Sequence, residues 1–136
     1  MEHTDFKYSD ITGKIIGAAM KVHSFFGLGF PEVVYKRALI VELKILGLRC
    51  GTEIEKDIIY QNRLIAKRRL DLIIEDKVLV ELKALPEADK RCHNQIINYL
   101  NVFSFEVGLL LNFGKESLEF KRFANSKNQR NRFNSL

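Results

Sequence analysis

The chain has 136 residues and a formal net charge of +5, the size of one compact domain that buries about two thirds of its unfolded surface without disulfides or structural metal. Its 46% hydrophobic and 29% charged residues, with only 2 prolines, describe a soluble globular protein. No run reaches the roughly 20 apolar residues of a membrane helix, and the start Met1-Glu2-His3-Thr4-Asp5 lacks the basic and apolar segments of a signal peptide, so no membrane partner is expected and the cytoplasm is the default.

In chain order, Ile11, Ile15, Ala18, Ala19 and Val22 recur at helical spacing between about Asp10 and Phe26. Gly27-Leu28-Gly29 breaks that run, and Pro31 suits the first turn of a second helix reaching Leu46, with Gly47 ending it. Strands are expected over Ile54 to Tyr60, Leu64 to Ile74 and Val78 to Leu82, with Gln61-Asn62 as a polar turn. Leu70, Leu72, Ile73 and Ile74 put apolar side chains on both faces, as in a sheet covered on both sides. A third helix from about Ala88 to Phe103 precedes strands at Val107 to Phe113 and Leu118 to Phe123. The α-α-β-β-β-α-β-β order implies an α/β fold with a mixed sheet flanked by helices.

Three charges interrupt otherwise apolar strands: Asp71, Glu81 and Lys83. Alternation puts Glu81 and Lys83 on one face, with Leu82 on the other. Half-buried carboxylates are costly unless paired or bound to metal. Two acids and a lysine at one spot suit a hard divalent cation, which takes oxygen ligands, acidifies a water and offsets charge on a phosphoryl group. Asp71 and Glu81 would then be ligands, and Lys83 would orient the water or stabilise the transition state. A structural ion pair of these acids with Lys83 or Arg69 fits the trio equally well.

Further motifs accompany the trio. Gly29-Phe30-Pro31-Glu32-Val33-Val34-Tyr35, Arg69-Leu70-Asp71, Glu81-Leu82-Lys83-Ala84, Gln95 with Tyr99, and Gly108-Leu109-Leu110-Leu111-Asn112-Phe113-Gly114 follow in order. Together they resemble the GxxExxY family of the PD-(D/E)XK nuclease superfamily, over about Asp10 to Gly114. The resemblance implies a restriction-endonuclease-like core and a Mg²⁺- or Mn²⁺-dependent nuclease, acting on DNA more than RNA. It implies that Glu32 is a third acid on the metal, directly or through water, and that Gln95 contacts the metal-bound water or the scissile phosphate. Tyr35, Arg69 and Tyr99 would be auxiliary. His93, two residues before Gln95, is expected to face solvent. A small core of this kind leaves room for a second copy or a partner protein to supply specificity. The alternative is a nucleic-acid-binding or protein-interaction module that keeps the fold without turnover.

The remaining features are local. After Glu119 the chain has Lys121, Arg122, Lys127, Arg130 and Arg132 and no acid, and these account for the whole +5 excess. They suggest a single domain over residues 1–120 and a flexible basic tail over 121–136. That tail suits phosphate contacts and equally suits a solubilising end. Cys50 and Cys92 form no C-x-x-C pair, so reduced thiols are expected, and Cys92-His93 lacks the second ligand pair of a zinc site. Finally, the trio sets a condition on the strand register. A two-residue loop at Glu75-Asp76 would oppose Asp71 to Val80 and turn Glu81 away. A shared site requires an odd loop, such as Glu75-Asp76-Lys77, or a bulge.

Overall fold

The computed structural model describes residues 7–125. They form α1 (Ser9–Phe26), α2 (Glu32–Ile45), β1 (Cys50–Tyr60), β2 (Arg63–Ile74), β3 (Val78–Lys83), α3 (Lys90–Val102), β4 (Val107–Asn112) and β5 (Glu119–Ala124). α1 buries Ile15, Ala18, Ala19 and Val22 along one stripe. It stops at Gly27, whose φ of 67 a residue with a side chain rarely adopts. α2 buries Tyr35, Leu39 and Leu43, one turn apart. α3 begins at Asp89, whose carboxylate accepts hydrogen bonds from the Arg91 and Cys92 amides at 3.0 and 3.4 Å.

The five strands form one sheet in the order β1-β2-β3-β4-β5. β3 and β4 run parallel, joined through α3, and the other neighbours are antiparallel. This is the expected mixed sheet with flanking helices. α1 and α2 cover the face carrying Leu72, Ile74, Val80, Leu82, Leu109 and Leu111. α3 covers the other face through Ile96 and Leu100, against Ile73, Leu79 and Leu110. β3 and β4 are therefore buried on both sides, and each buried leucine there contributes about 1.5–3 kcal/mol.

Two boundaries differ from expectation. β1 starts at Cys50 instead of Ile54, because pairing with β2 continues through Gly51↔Ile73 to Cys50↔Ile74 despite the polar Thr52 and Glu53. β5 runs to Ala124, so the domain boundary expected at 120/121 falls inside a strand paired along its whole length with β4. Lys121 and Arg122 belong to this edge strand, where charged side chains are common. Lys127, Arg130 and Arg132 lie outside the described residues. Both cysteines are free. His93 is half-buried with its ring 5.6 Å from that of Phe123, instead of facing solvent.

Candidate active site

The register condition is met. Leu72 pairs with Val80, Ile73 with Leu79 and Ile74 with Val78, so the loop is Glu75-Asp76-Lys77 and the next step opposes Asp71 to Glu81. Glu75 and Asp76 have φ of 55 and 57, and the Lys77 amide closes the turn onto the Ile74 carbonyl at 3.0 Å.

The two acids stand where the sheet divides. Beyond Val80, β3 keeps its pairing with β4, Glu81 opposite Leu110 and Lys83 opposite Asn112, but leaves β2. That separation would strand the Asp71 and Leu82 amides, and unmade buried hydrogen bonds cost about 1–3 kcal/mol each. The carboxylates take the place of the ladder. The Asp71 amide donates to Glu81 Oε2 at 3.2 Å, and the Leu82 amide donates to Asp71 Oδ2 at 2.9 Å. Each acid thus spends one oxygen on backbone and keeps the other.

Glu81 is only 6% exposed. Its pKa is pushed up to about 7, first by desolvation and then by the neighbouring charge of Asp71, against the pull of the Asp71 amide and Lys83. Glu32, in the first turn of α2, is raised too, first by desolvation and then by Asp71, with Lys83 and Lys36 opposing. Glu32 is therefore within electrostatic reach of the pair. Among the described residues, however, no three His, Cys, Asp or Glu side chains are grouped so as to hold one ion. The structure joins Asp71 and Glu81 closely and leaves Glu32 at the margin.

Lys36 and Glu53 were not legible in the sequence as site residues. The Lys36 side chain is 13% exposed, with Nζ 3.8 Å from Asp71 Oδ1 and 3.9 Å from Glu53 Oε2. It lies four residues after Glu32 on α2, a spacing that shares a helix face and was the available signal. Glu53 is opposite Asp71 in register, but that pair is missing between Thr52↔Leu72 and Ile54↔Leu70. Its φ of 51 explains the gap, and such a backbone costs a non-glycine residue about 1–3 kcal/mol. The irregularity reaches β2: Leu70 packs on the α3 side with Ile73, although strict alternation would group it with Leu72.

The other expected residues sort into positioning and surface roles. Tyr35 is buried, and its hydroxyl donates to the Gly27 carbonyl at 2.6 Å and accepts from the Phe30 amide at 3.3 Å. Its ring stacks on Phe113 at 4.7 Å. It ties down the loop that leads into Glu32. Gln95 and Tyr99 share a helix face, Gln95 Nε2 donating to the Tyr99 hydroxyl at 3.3 Å. Neither hydrogen-bonds Asp71, Glu81 or Lys83 among the described residues. Arg69 is exposed on β2, opposite Glu55.

Asn112 has a role that its motif did not reveal. It is 1% exposed; Oδ1 accepts from the Leu85 and Gly114 amides, and Nδ2 donates to the Leu85 carbonyl, all at 3.0 Å. The Phe113 amide bonds the Lys83 carbonyl at 2.8 Å. A Cβ on Gly114 would meet the Leu85 backbone at 2.3 Å, so only glycine allows this approach. Together these contacts fix the chain leaving Lys83.

Comparison with known proteins identifies the family and the fold. A family model described as the PD-(D/E)XK nuclease superfamily matches residues 9–123. No curated protein matches. The solved structure of SSO0001 superposes with a TM-score of 0.52 at 21% identity, covering 78% of this chain and 59% of that one. The chain therefore spans less than two thirds of that relative, and the likeness is one of fold. Among the described residues no helix is long and apolar enough to cross a membrane.

Proposed function

Because the chain belongs to the PD-(D/E)XK nuclease superfamily, we propose that it is a metal-dependent nuclease that hydrolyses phosphodiester bonds, in DNA rather than RNA. The observation that carries this reading is the opposed pair Asp71 and Glu81 at the sheet division, each keeping an oxygen that the backbone does not use. Glu81, pushed up to about 7 first by desolvation and then by the charge of Asp71, is a carboxyl that a bound cation would hold ionised.

The donor set fits Mg²⁺ or Mn²⁺: hard oxygen donors from one or two carboxylates, with waters and substrate phosphate completing the shell. Asp71 and Glu81 would hold the ion, with Glu32 reaching it through water. When bound, the ion supplies an acidified water and offsets phosphoryl charge. Lys83, on the Glu81 face, stabilises the charge that grows on the phosphoryl oxygens. Lys36 holds Asp71 in place, and Gln95, braced by Tyr99, contacts the scissile phosphate. The motifs from Gly29 to Gly114 support assignment to the GxxExxY branch. A second copy or a partner protein would supply sequence or structure preference, and the unpaired thiols suit the cytoplasm.

One observation favours a binding module without turnover: Lys36 already lies beside Asp71, where a metal would compete with it. Incubating linear, nicked and branched DNA, and RNA, with Mg²⁺ or Mn²⁺ separates the readings. Wild type should cleave DNA, Asp71→Asn should not, and Lys83→Ala should lose about 10²-fold or more. Binding without cleavage in either metal would leave the module reading in its place.

A further inference from the structure

β1 and β2 pair from Cys50↔Ile74 out to Tyr60↔Arg63, whereas β2 and β3 share only the pairs from Leu72 to Ile74. Past Asp71 the hairpin continues as a two-stranded arm with β1 at the sheet edge. From Leu70 to Arg63 it extends roughly 24 Å at about 3.4 Å per residue. A two-stranded ribbon is marginally stable by itself in water.

The two faces of the arm differ in charge. On one, Glu55 faces Arg69 and Asp57 faces Lys67, and Lys67 Nζ reaches Asp57 at 3.0 Å and Glu55 at 4.0 Å. That face neutralises itself. On the other, Lys56 faces Arg68, with Ile54 and Leu70 on one side and Ile58 and Ala66 on the other. Like charges directly opposed destabilise a ribbon, and among the described residues neither cation has a carboxylate within ion-pair distance. Ile54 and Leu70 belong to the cluster beneath α3, so this basic face lies on the α3 side and runs down to Asp71. At the tip, Gln61 and Asn62 turn the chain with φ of 51 and 60. Ile59, Tyr60, Leu64 and Ile65 are 56%, 67%, 54% and 59% exposed there.

We propose that the β1–β2 arm grips nucleic acid, Lys56 and Arg68 taking backbone phosphates of the strand leading to Asp71 and Glu81, and Tyr60, which alternation along β1 puts on the same face, packing against an exposed base. A polyanion resolves the opposed cations, and its neutralisation releases counterions. A wholly apolar protein partner would instead bury two unpaired charges at a cost of several kcal/mol. Two-stranded ribbons reach into grooves, and apolar wedges insert between base steps. The proposal rests on the nuclease reading, and it adds which surface outside the site holds the substrate.

The test is fluorescence anisotropy of a labelled duplex and a labelled branched junction in Ca²⁺, across a salt titration, with cleavage in Mg²⁺ measured in parallel. Lys56→Ala/Arg68→Ala should lower the slope of log Kd against log salt by about 1.8, and weaken binding about 60-fold at 0.1 M salt. Lys56→Arg/Arg68→Lys should restore the slope. Tyr60→Ser should weaken binding with the slope unchanged. A urea midpoint equal to wild type shows that the arm variants fold. Wild-type affinity and slope in the alanine variant, while wild type binds and cleaves, overturns the arm and leaves the nuclease standing. Absence of binding and cleavage in wild type overturns both. A shifted monomer–dimer balance with unchanged DNA binding makes the arm a contact between copies and overturns the proposal.

Discussion

Glutamine in place of Glu81 removes a charge while keeping shape and an acceptor for the Asp71 amide. In the folded protein Glu81 ionises at about 7, against an ordinary value of 4.5, a gap worth about 3 kcal/mol. Between those values the folded state keeps a proton that the unfolded chain has released. The stability contributed by protonated Glu81 is therefore complete below pH 4.5 and is lost as the pH rises through about 7. Without metal, Glu81→Gln should match wild type near pH 4.5 and exceed it by about 3 kcal/mol near pH 8. At an m-value of about 2 kcal/mol/M, the urea midpoint at the higher pH rises by about 1.5 M. Urea titrations in EDTA at the two pH values measure this. Adding Mg²⁺ should narrow the gap, because the ion binds the ionised site of the wild type. An equal gap at both pH values, or a glutamine variant less stable than wild type at pH 8, would refute the assignment of an uncompensated charge at this position.

Asn112→Ala leaves the Leu85 amide, the Leu85 carbonyl and the Gly114 amide without their partner, and should cost about 2–4 kcal/mol in chemical denaturation. A loss under 1 kcal/mol would mean that other groups hold this segment. Tyr35→Phe gives up the 2.6 Å bond to Gly27 and should lower stability by about 1–2 kcal/mol with the Mg²⁺-dependent cleavage rate kept. A lost rate with unchanged melting would instead put the hydroxyl in the chemistry.

The central strands and their charges were readable because each breaks a pattern. Asp71, Glu81 and Lys83 stand out as charges within runs that are otherwise apolar, and loop length together with any bulge decides whether the first two share a face. Lys36 gave no such sign. A lysine on a helix ordinarily faces solvent, and this one is enclosed only because Glu53 and Asp71 come to it from β1 and β2. Glu53 was hidden for a second reason: no composition rule predicts a glutamate at φ 51 inside a strand. Lys121 and Arg122 read as tail because charge suggests solvent, yet backbone pairing with Leu110 and Leu109 makes them strand. Asn112 looked like an ordinary polar strand end, and its three backbone partners appear only when two distant loops meet.

The Glu75-Asp76-Lys77 turn acts as a phase setting for the site. Most surface loops absorb a gained or lost residue at little thermodynamic cost. Here a change of one residue would leave the hairpin able to pair, yet rotate either Asp71 or Glu81 to the opposite side of the sheet, with its apolar neighbours. Length variation at this turn compatible with the site therefore comes in steps of two, or with a compensating bulge in β2 or β3. A turn that holds neither acid thus carries a constraint on insertions and deletions set by the pair it aligns.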